Sequence, residues 1–269
     1  MTDFFDFFSR LEDLAGEVER RTSNPTLAAK VVHSLAVIDK AFDIYSEQGL
    51  AVSFNGGKDC TLLLHLALYA YLHRRKAKGE TTAMAKHEGE RSEGKEEEQR
   101  AGTEGDRAHY WMRILYFWFP TCFPEETQFV MDTTQSLRLG LIKSTKPYRE
   151  GLQEIIETER PPIRAIFMGT RYTDPSCARL EEFSESTPGW PTFMRVNPIL
   201  DWSYSEVWAF ILAMGVPYCS LYDKGYTSIG EVNNTKPNPA LLVEGCTYAP
   251  AYNLKEEELE RAGRQSRSV

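Results

Sequence analysis

The stretch LAVSFNGGKDC, residues 50–60, decides the fold. Residues 50–54 form a short apolar run of the kind that favours a β-strand, and helical periodicity begins at Asp59 and continues to Leu72. Two adjacent glycines lie between them, so bare backbone N–H groups can approach an anion at the N-terminus of the helix. The stretch therefore predicts a strand, a tight loop and a helix, with the loop acting as a phosphate cradle.

Two charged residues follow the glycines. Lys58 would place a positive charge beside a bound phosphate. Asp59 would be repelled by phosphates unless a divalent metal lies between them, and helix N-capping is the alternative explanation. The loop lacks both the Walker A and the Rossmann glycine patterns. An ordinary turn, in which Gly56 and Gly57 only permit positive φ, also remains open.

The rest of the chain alternates strands with helices after two leading helices. Because alternating elements form parallel sheets covered on both faces, we expect an α/β fold with a doubly wound, mostly parallel sheet. The predicted helices span Phe4–Arg20, Thr26–Ser46, Pro124–Leu139, Pro147–Glu159, Tyr204–Met214 and Glu256–Arg264, and the later strands span Arg113–Phe119 and Ile163–Met168, with a short one at Ile142.

The domain organisation follows from changes in composition. Residues 76–108 are rich in charged residues and glycine and poor in large apolar residues, which predicts a mobile insertion. The remainder reads as a single domain over residues 1–269, with a loop-rich, substrate-binding subregion at 170–269. The charged run in the insertion is typical of a solvated linker.

The bulk composition limits the classes of function. The net charge of -8 argues against a broad basic surface for nucleic acid. The five cysteines are odd in number and form no C-x-x-C pair, so neither a disulfide framework nor a zinc site is indicated. No stretch approaches the roughly 18 apolar residues of a spanning helix. We expect a monomeric, cytoplasmic protein that binds neither nucleic acid nor membranes.

The double-glycine loop resembles that of the PP-loop ATP pyrophosphatases, whose common pattern is S-G-G-K-D-S. Asn55 and Cys60 stand here in place of the two serines. That variant is similar to the loop of the eukaryotic FMN adenylyltransferases, or FAD synthases, particularly the fungal single-domain form. Three later blocks agree with this resemblance: Gly169–Pro175, Asn197–Gly230 and Glu260–Arg264.

The resemblance implies a PP-loop-like fold and the transfer of AMP from MgATP to the phosphate of FMN, which gives FAD and pyrophosphate. ATP and FMN would be the substrates and Mg²⁺ the cofactor, with Asp59 as the metal ligand. The implied catalytic residues are Asn55, Lys58, Asp59, Arg171 and Asp174. The implied contacts to nucleotide or flavin are Ser53, Phe54, Gly56, Gly57, Ile114, Tyr116, Gly169, Tyr172, Arg261 and Arg264, with adenine recognised by backbone groups along residues 114–117.

The residues themselves support some of these roles. Arg171 and Asp174 follow a predicted parallel strand, on the side where such folds bind ligands, and a guanidinium there can hold a phosphate bidentately. A loop-stapling ion pair between them is the alternative. Arg261 and Arg264 would share one face of the predicted final helix. A pair of arginines in such a position usually belongs to the solvated surface.

Two other functions are compatible with the same fold class. A sulfonucleotide reductase of the same fold needs a cysteine in E-C-G-x-H near the C-terminus, whereas residues 244–247 read E-G-C-T. A non-catalytic flavin- or nucleotide-binding protein of the same fold remains open. Cys60, Cys177 and Cys246 have no adjacent histidine or arginine that would activate a thiol, so we expect inert thiols.

Overall fold

The structure is a computed structural model that describes residues 7–8, 10–79 and 110–265. None of the helices in these ranges is long and apolar enough to cross a membrane. The helices are α1 (Leu14–Thr22), α2 (Pro25–Tyr45), α3 (Lys58–Ala77), α4 (Pro124–Ser136), α5 (Tyr148–Thr158) and α6 (Tyr204–Met214). The strands are β1 (Leu50–Ser53), β2 (Arg113–Phe117), β3 (Gly140–Ser144), β4 (Ala165–Phe167), β5 (Phe183–Glu185), β6 (Met194–Val196), β7 (Leu242–Glu244) and β8 (Thr247–Tyr248).

The main sheet has six strands in the order β3-β2-β1-β4-β6-β5. Every pair is parallel except β5 with β6, and β5 lies at the edge. Val52 and Ile114 pack into a large core that includes residues of α2, α3 and α6, whereas Ala51 and Leu115 pack into a smaller core with α5. Helices therefore cover both faces of the sheet, which confirms the predicted α/β class.

The strand order creates a switch point between β1 and β4. From β1 the chain moves outward to β2 and β3, and it then returns to the other side of β1, where Val52 lies opposite Phe167. The loops that follow β1 and β4 therefore leave the sheet in opposite directions at the same edge. In open α/β sheets this crevice is where ligands bind.

Two predicted helices differ from the structure. In the Phe4–Arg20 range the described residues 11–13 are not helical, and α1 begins at Leu14 because the Asp13 carboxylate accepts the N–H of Gly16 as an N-cap. The segment Glu256–Arg264 holds only a 3₁₀ turn at residues 257–259, and Arg264 instead forms a β-bridge with Thr235. The two C-terminal arginines therefore do not share a helix face.

The predicted insertion at 76–108 falls largely outside the described residues, which resume at Tyr110. Its first two residues are helical, because α3 continues to Ala77 rather than ending at Leu72. Basic residues in the last turn of α3 favour this extension, since they interact well with the negative end of the helix dipole. The single-domain organisation stays a prediction.

Candidate active site

A cavity of about 280 Å³ lies at the switch point, near the lower end of the size range of small-molecule sites. Its walls come from the end of β1, the start of α3, the loop after β4 and the C-terminal segment. Of the predicted residues, those that line it are Ser53, Phe54, Asn55, Gly57, Lys58, Asp59, Gly169, Asp174, Arg261 and Arg264.

Five predicted residues do not line the cavity, and one of them, Arg171, lies behind it. The side chains of Ile114 and Tyr116 are fully buried in the larger core, because alternate residues of a strand face opposite sides of the sheet. Tyr172 is 44% exposed and does not line the cavity, and Gly56 faces α4. The β2 side chains that do line the cavity are Leu115 and Phe117.

The double-glycine loop, residues 54–57, is held by its own asparagine. Gly56 has a φ of +78°, which favours glycine, and a Cβ there would lie 3.2 Å from the ring of Phe129. The N–H of Gly57 donates to Oδ1 of Asn55 at 3.1 Å, and Sγ of Cys60 lies 3.1 Å from the same oxygen. The Gly57 amide, predicted as a phosphate donor, is thus engaged inside the loop, and Asn55 organises the loop itself.

The first N–H of α3 also has a protein partner. The Lys58 N–H donates to the hydroxyl of Tyr222 at 2.7 Å, in the interior. Burial raises the pKa of Tyr222 well above its usual value, so the hydroxyl stays protonated. Helix geometry leaves the N–H groups of Asp59 and Cys60 without acceptors inside the helix. Tyr222 was not predicted, because only the folded chain brings it to the loop.

Two buried cations and two carboxylates form the centre of the site. Lys58 and Arg171 have side chains only 2% and 1% exposed. Nζ of Lys58 lies 3.0 Å from Oδ2 of Asp59 and also contacts Oε1 of Glu260. Arg171 places Nε 2.9 Å from Oδ1 of Asp59, and its Nη2 contacts the two Glu260 oxygens at 2.7 and 2.6 Å. Arg171 thus lies behind the cavity and contacts two residues that line it.

Glu260 was missed by sequence reasoning, although it lies directly before the predicted Arg261. Its partners lie 202 and 89 residues earlier in the chain. Burial opposes the charge on Glu260, but Lys58 and Arg171 outweigh it and hold the pKa of the carboxyl below its usual value. Glu260 therefore remains ionised at neutral pH and neutralises both cations.

Asp174 has a structural partner in its own loop. Its Oδ2 accepts the backbone N–H of Arg171 at 2.9 Å, and its Oδ1 is 4.0 Å from Nη2 of the same residue. Burial raises the pKa of Asp174, and the Arg171 N–H opposes that rise. The loop-stapling alternative is therefore observed, while Asp174 also lines the cavity.

The residues that line the cavity could bind a divalent metal, but they offer few ligand atoms for it. Oδ1 of Asp59 is buried and accepts no aligned hydrogen bond, despite the proximity of Arg171 Nε, so a lone pair remains for a metal ion or its bound water. No group of three or more metal-binding side chains occurs in the described residues. A Mg²⁺ ion bound here would therefore take most of its ligands from phosphates and water.

The cysteines show no sign of catalytic activation. Burial raises the pKa of Cys60 to about 12, which keeps this cavity-lining thiol protonated. Cys246 is exposed in the turn between β7 and β8 and does not line the cavity. Because the thiolate is the reactive form, this arrangement disfavours the reductase alternative.

Gly169 allows the loop after β4 to pack closely against the start of α3. A Cβ at this position would lie 2.7 Å from the Cys60 backbone nitrogen and 2.9 Å from the Asp59 carbonyl carbon. Since these are backbone atoms at the start of α3, Gly169→Ala should push the two loops apart. We expect a loss of about 1–3 kcal/mol in the free energy of unfolding, measured by urea denaturation. A stability within 0.5 kcal/mol of the unmodified protein would contradict this contact.

Glu126 in α4 gives a second prediction. Burial raises its pKa from 4.5 to about 7, with Arg264 opposing the rise. A raised folded pKa means that the ionised group costs stability, a cost absent below about pH 4.5 and fully present above pH 7. Glu126→Gln should therefore stabilise the protein by up to about 3 kcal/mol at pH 8 and very little at pH 4.5. Unfolding measured at both pH values tests this, and an equal effect at both would contradict it.

Comparison with known proteins places the chain in a family. A model of the phosphoadenosine phosphosulfate reductase domain matches residues 49–237. A probable FAD synthase of Schizosaccharomyces pombe is 40% identical over 236 residues, which cover 87% of this chain and 78% of that relative. A probable FAD synthase of Caenorhabditis briggsae is 32% identical over 248 residues, which cover 90% of this chain but 41% of that longer relative.

Solved structures support the fold. The FMN adenylyltransferase of Candida glabrata, determined in complex with FAD and inorganic pyrophosphate, superposes with a TM-score of 0.73 over 98% of this chain and 95% of that one, at 21% identity. A yeast FAD synthetase in complex with FAD gives a TM-score of 0.70 over 93% and 98%, at 24% identity. Together with the sequence matches, which span most of the chain, these findings confirm the resemblance inferred from the loop. The chain belongs to the phosphoadenosine phosphosulfate reductase domain family and, within it, to the FAD synthases.

Proposed function

We propose that the protein transfers the adenylyl group of MgATP to the phosphate of FMN, forming FAD and releasing pyrophosphate. An oxygen of the FMN phosphate forms the new bond to the α-phosphorus. The bond from that phosphorus to the bridging oxygen breaks, and its electron pair leaves with pyrophosphate. A phosphate monoester is already anionic near neutral pH, so the reaction needs no strong general base.

One observation carries the proposal. The loops that follow β1 and β4 meet at the switch point of the sheet and bring Lys58 and Arg171 together with Asp59 beside a cavity. Catalysis of phosphoryl-type transfer is mostly positioning and neutralisation of charge, which buried cations at strand ends supply. The match to the FAD synthases supports FMN as the acceptor.

The geometry supports the following individual roles. Lys58 would bind the leaving phosphates, and Oδ1 of Asp59 would hold Mg²⁺ directly or through water. Asn55 shapes the loop through its side-chain oxygen and leaves its amide nitrogen to donate to phosphate. Arg261 and Arg264 line the cavity from the C-terminal segment and would contact the second substrate. Bound Mg²⁺ would neutralise the charge of the triphosphate.

Label transfer tests the reaction. The protein is incubated with Mg²⁺, FMN and ATP labelled in either the α- or the γ-phosphate, and a control omits FMN. The α-label should appear in FAD and the γ-label in pyrophosphate, only when FMN is present. Release of labelled inorganic phosphate without FAD would contradict the proposal, and sulfite release from a sulfonucleotide and a thiol reductant would favour the reductase alternative.

We propose further that the protein works as a monomer in the cytoplasm, on small-molecule substrates. All five cysteines are free thiols, as expected in a reducing compartment. Sedimentation with and without FMN and ATP would test the monomeric state, and a mass twice that of the chain would contradict it.

A further inference from the structure

Glu260 links the C-terminal segment to both buried cations of the cavity. Its Oε1 contacts Nζ of Lys58 and lies 2.7 Å from Nη2 of Arg171, and its Oε2 lies 2.6 Å from the same Nη2. One carboxylate is therefore shared between the cation at the start of α3 and the cation after β4. The Lys58 ammonium also lies 5.0 Å from the centre of the Tyr204 ring, so its surroundings are enclosed by protein.

The backbone of Glu260 is fixed by a buried polar pair that does not line the cavity. The Thr227 hydroxyl donates to the Glu260 carbonyl at 2.6 Å. The side-chain amide of Asn238 donates to that hydroxyl at 2.8 Å and to the Leu259 carbonyl at 2.7 Å. Thr227 and Asn238 are 1% and 0% exposed. Buried polar groups with hydrogen-bond partners of this kind hold one geometry, so the Glu260 carboxylate is kept in a defined position.

This arrangement conflicts with a simple phosphate site. A lysine that is 2% exposed and already paired with two carboxylates cannot also bind a triphosphate. Arg171 differs, because both Glu260 oxygens lie within hydrogen-bonding distance of its Nη2, and such charge-assisted contacts orient a guanidinium strongly. The two cations can therefore respond differently when a nucleotide arrives.

We propose that Glu260 is a positioning residue that releases Lys58 to the bound triphosphate and keeps Arg171 oriented. Lys58 moves from the Glu260 carboxylate to the β- and γ-phosphate oxygens, and Glu260 retains its contact with Arg171. This inference rests on the proposed function and adds to it a counter-ion that holds Lys58 until the nucleotide binds. Glu260 competes with the nucleotide for Lys58, and it also prepares Arg171 for the reaction.

The exchange predicts opposite effects on binding and on turnover. Glu260→Gln removes the competing charge, so Lys58 should bind the triphosphate more tightly, on the order of 10-fold in Kd. The same change weakens the hold on Arg171, and misplaced catalytic groups cost rate, so kcat should fall on the order of 10-fold or more. A purely structural role would instead weaken binding and turnover together.

The experiment measures both quantities. Binding of an ATP analogue with a methylene bridge between the α- and β-phosphates is measured with Mg²⁺ and without FMN, and kcat for FAD formation is measured separately. Glu258→Gln is the matched control, since it removes the same charge from an exposed position two residues away. Thr227→Val keeps the Glu260 charge but loosens its backbone, and it should lower kcat because Arg171 is then held less firmly.

The outcomes separate the two proposals. Tighter analogue binding with a lower kcat in Glu260→Gln, and neither effect in Glu258→Gln, supports the exchange. Unchanged or weaker binding in a folded Glu260→Gln protein overturns it, and so does an unchanged kcat in Thr227→Val. If the unmodified protein makes no FAD, the proposed function fails, yet the binding comparison still decides the role of Glu260.

Discussion

Asp59→Asn should lower the rate of FAD formation by about 10²- to 10³-fold, the usual cost of losing one preorganised electrostatic group. The substitution keeps the shape of the side chain but removes the charge that would hold Mg²⁺. It also removes one of the two carboxylates that neutralise Lys58 and Arg171. Single-turnover formation of FAD at saturating MgATP and FMN measures the loss in the chemical step.

The matched control is Asp132→Asn, which makes the same change on the exposed surface of α4, where Asp132 accepts a hydrogen bond from Gln128. It should leave the rate of FAD formation within about twofold, since surface substitutions away from special features have small effects. If Asp59→Asn also stays within twofold while folding normally, Asp59 neither holds the metal nor acts on the phosphates.

Arg171→Met should destabilise the protein by about 3–5 kcal/mol, because breaking a buried ion pair leaves its partners without compensation. Arg171 is 1% exposed, and its removal leaves Lys58 alone to neutralise both Glu260 and Asp59. Chemical denaturation measures the change. Arg149→Met, the same substitution at an exposed position on α5, should change stability by less than about 0.5 kcal/mol.

The pH dependence of this loss has a defined sign. The pKa of Glu260 is lowered from 4.5 in the folded protein, so its carboxylate contributes stability that is present above about pH 4.5 and lost as the pH falls through the lowered value. Arg171→Met removes a main source of that contribution. The gap between variant and unmodified protein should be largest near pH 7 and should narrow below pH 4.5. An equal gap at pH 7 and pH 4 would contradict the ion pair as its cause.

The helix Tyr204–Met214 shows what sequence alone can predict. Ser203 and Glu206 form a capping box at its start, and Gly215 ends it in the left-handed conformation at φ +66°. These signals are local, so the predicted bounds agree with the structure. The unit of β1, the double-glycine loop and α3 was predictable for the same reason, because strand, bend and helix follow one another directly in the chain.

The site was only partly predictable, since its remaining members meet through tertiary contacts. Glu260 and Tyr222 contact the start of α3 from the C-terminal subregion, and no local sequence pattern predicts those contacts. The prediction for residues 114–117 concerned backbone groups, because periodicity alone does not say which side chains of a fully buried strand border the cavity. Those side chains are Leu115 and Phe117, whereas Ile114 and Tyr116 lie in the larger core.

A structure of the protein with Mg²⁺ and a methylene-bridged ATP analogue examines the nucleotide site itself. We expect the β- and γ-phosphates to lie against residues 56–59, with Nζ of Lys58 within hydrogen-bonding distance of a phosphate oxygen and Glu260 still holding Arg171. Phosphates bound away from the double-glycine loop, with Lys58 still paired to Glu260, would show that this cavity does not hold the leaving pyrophosphate.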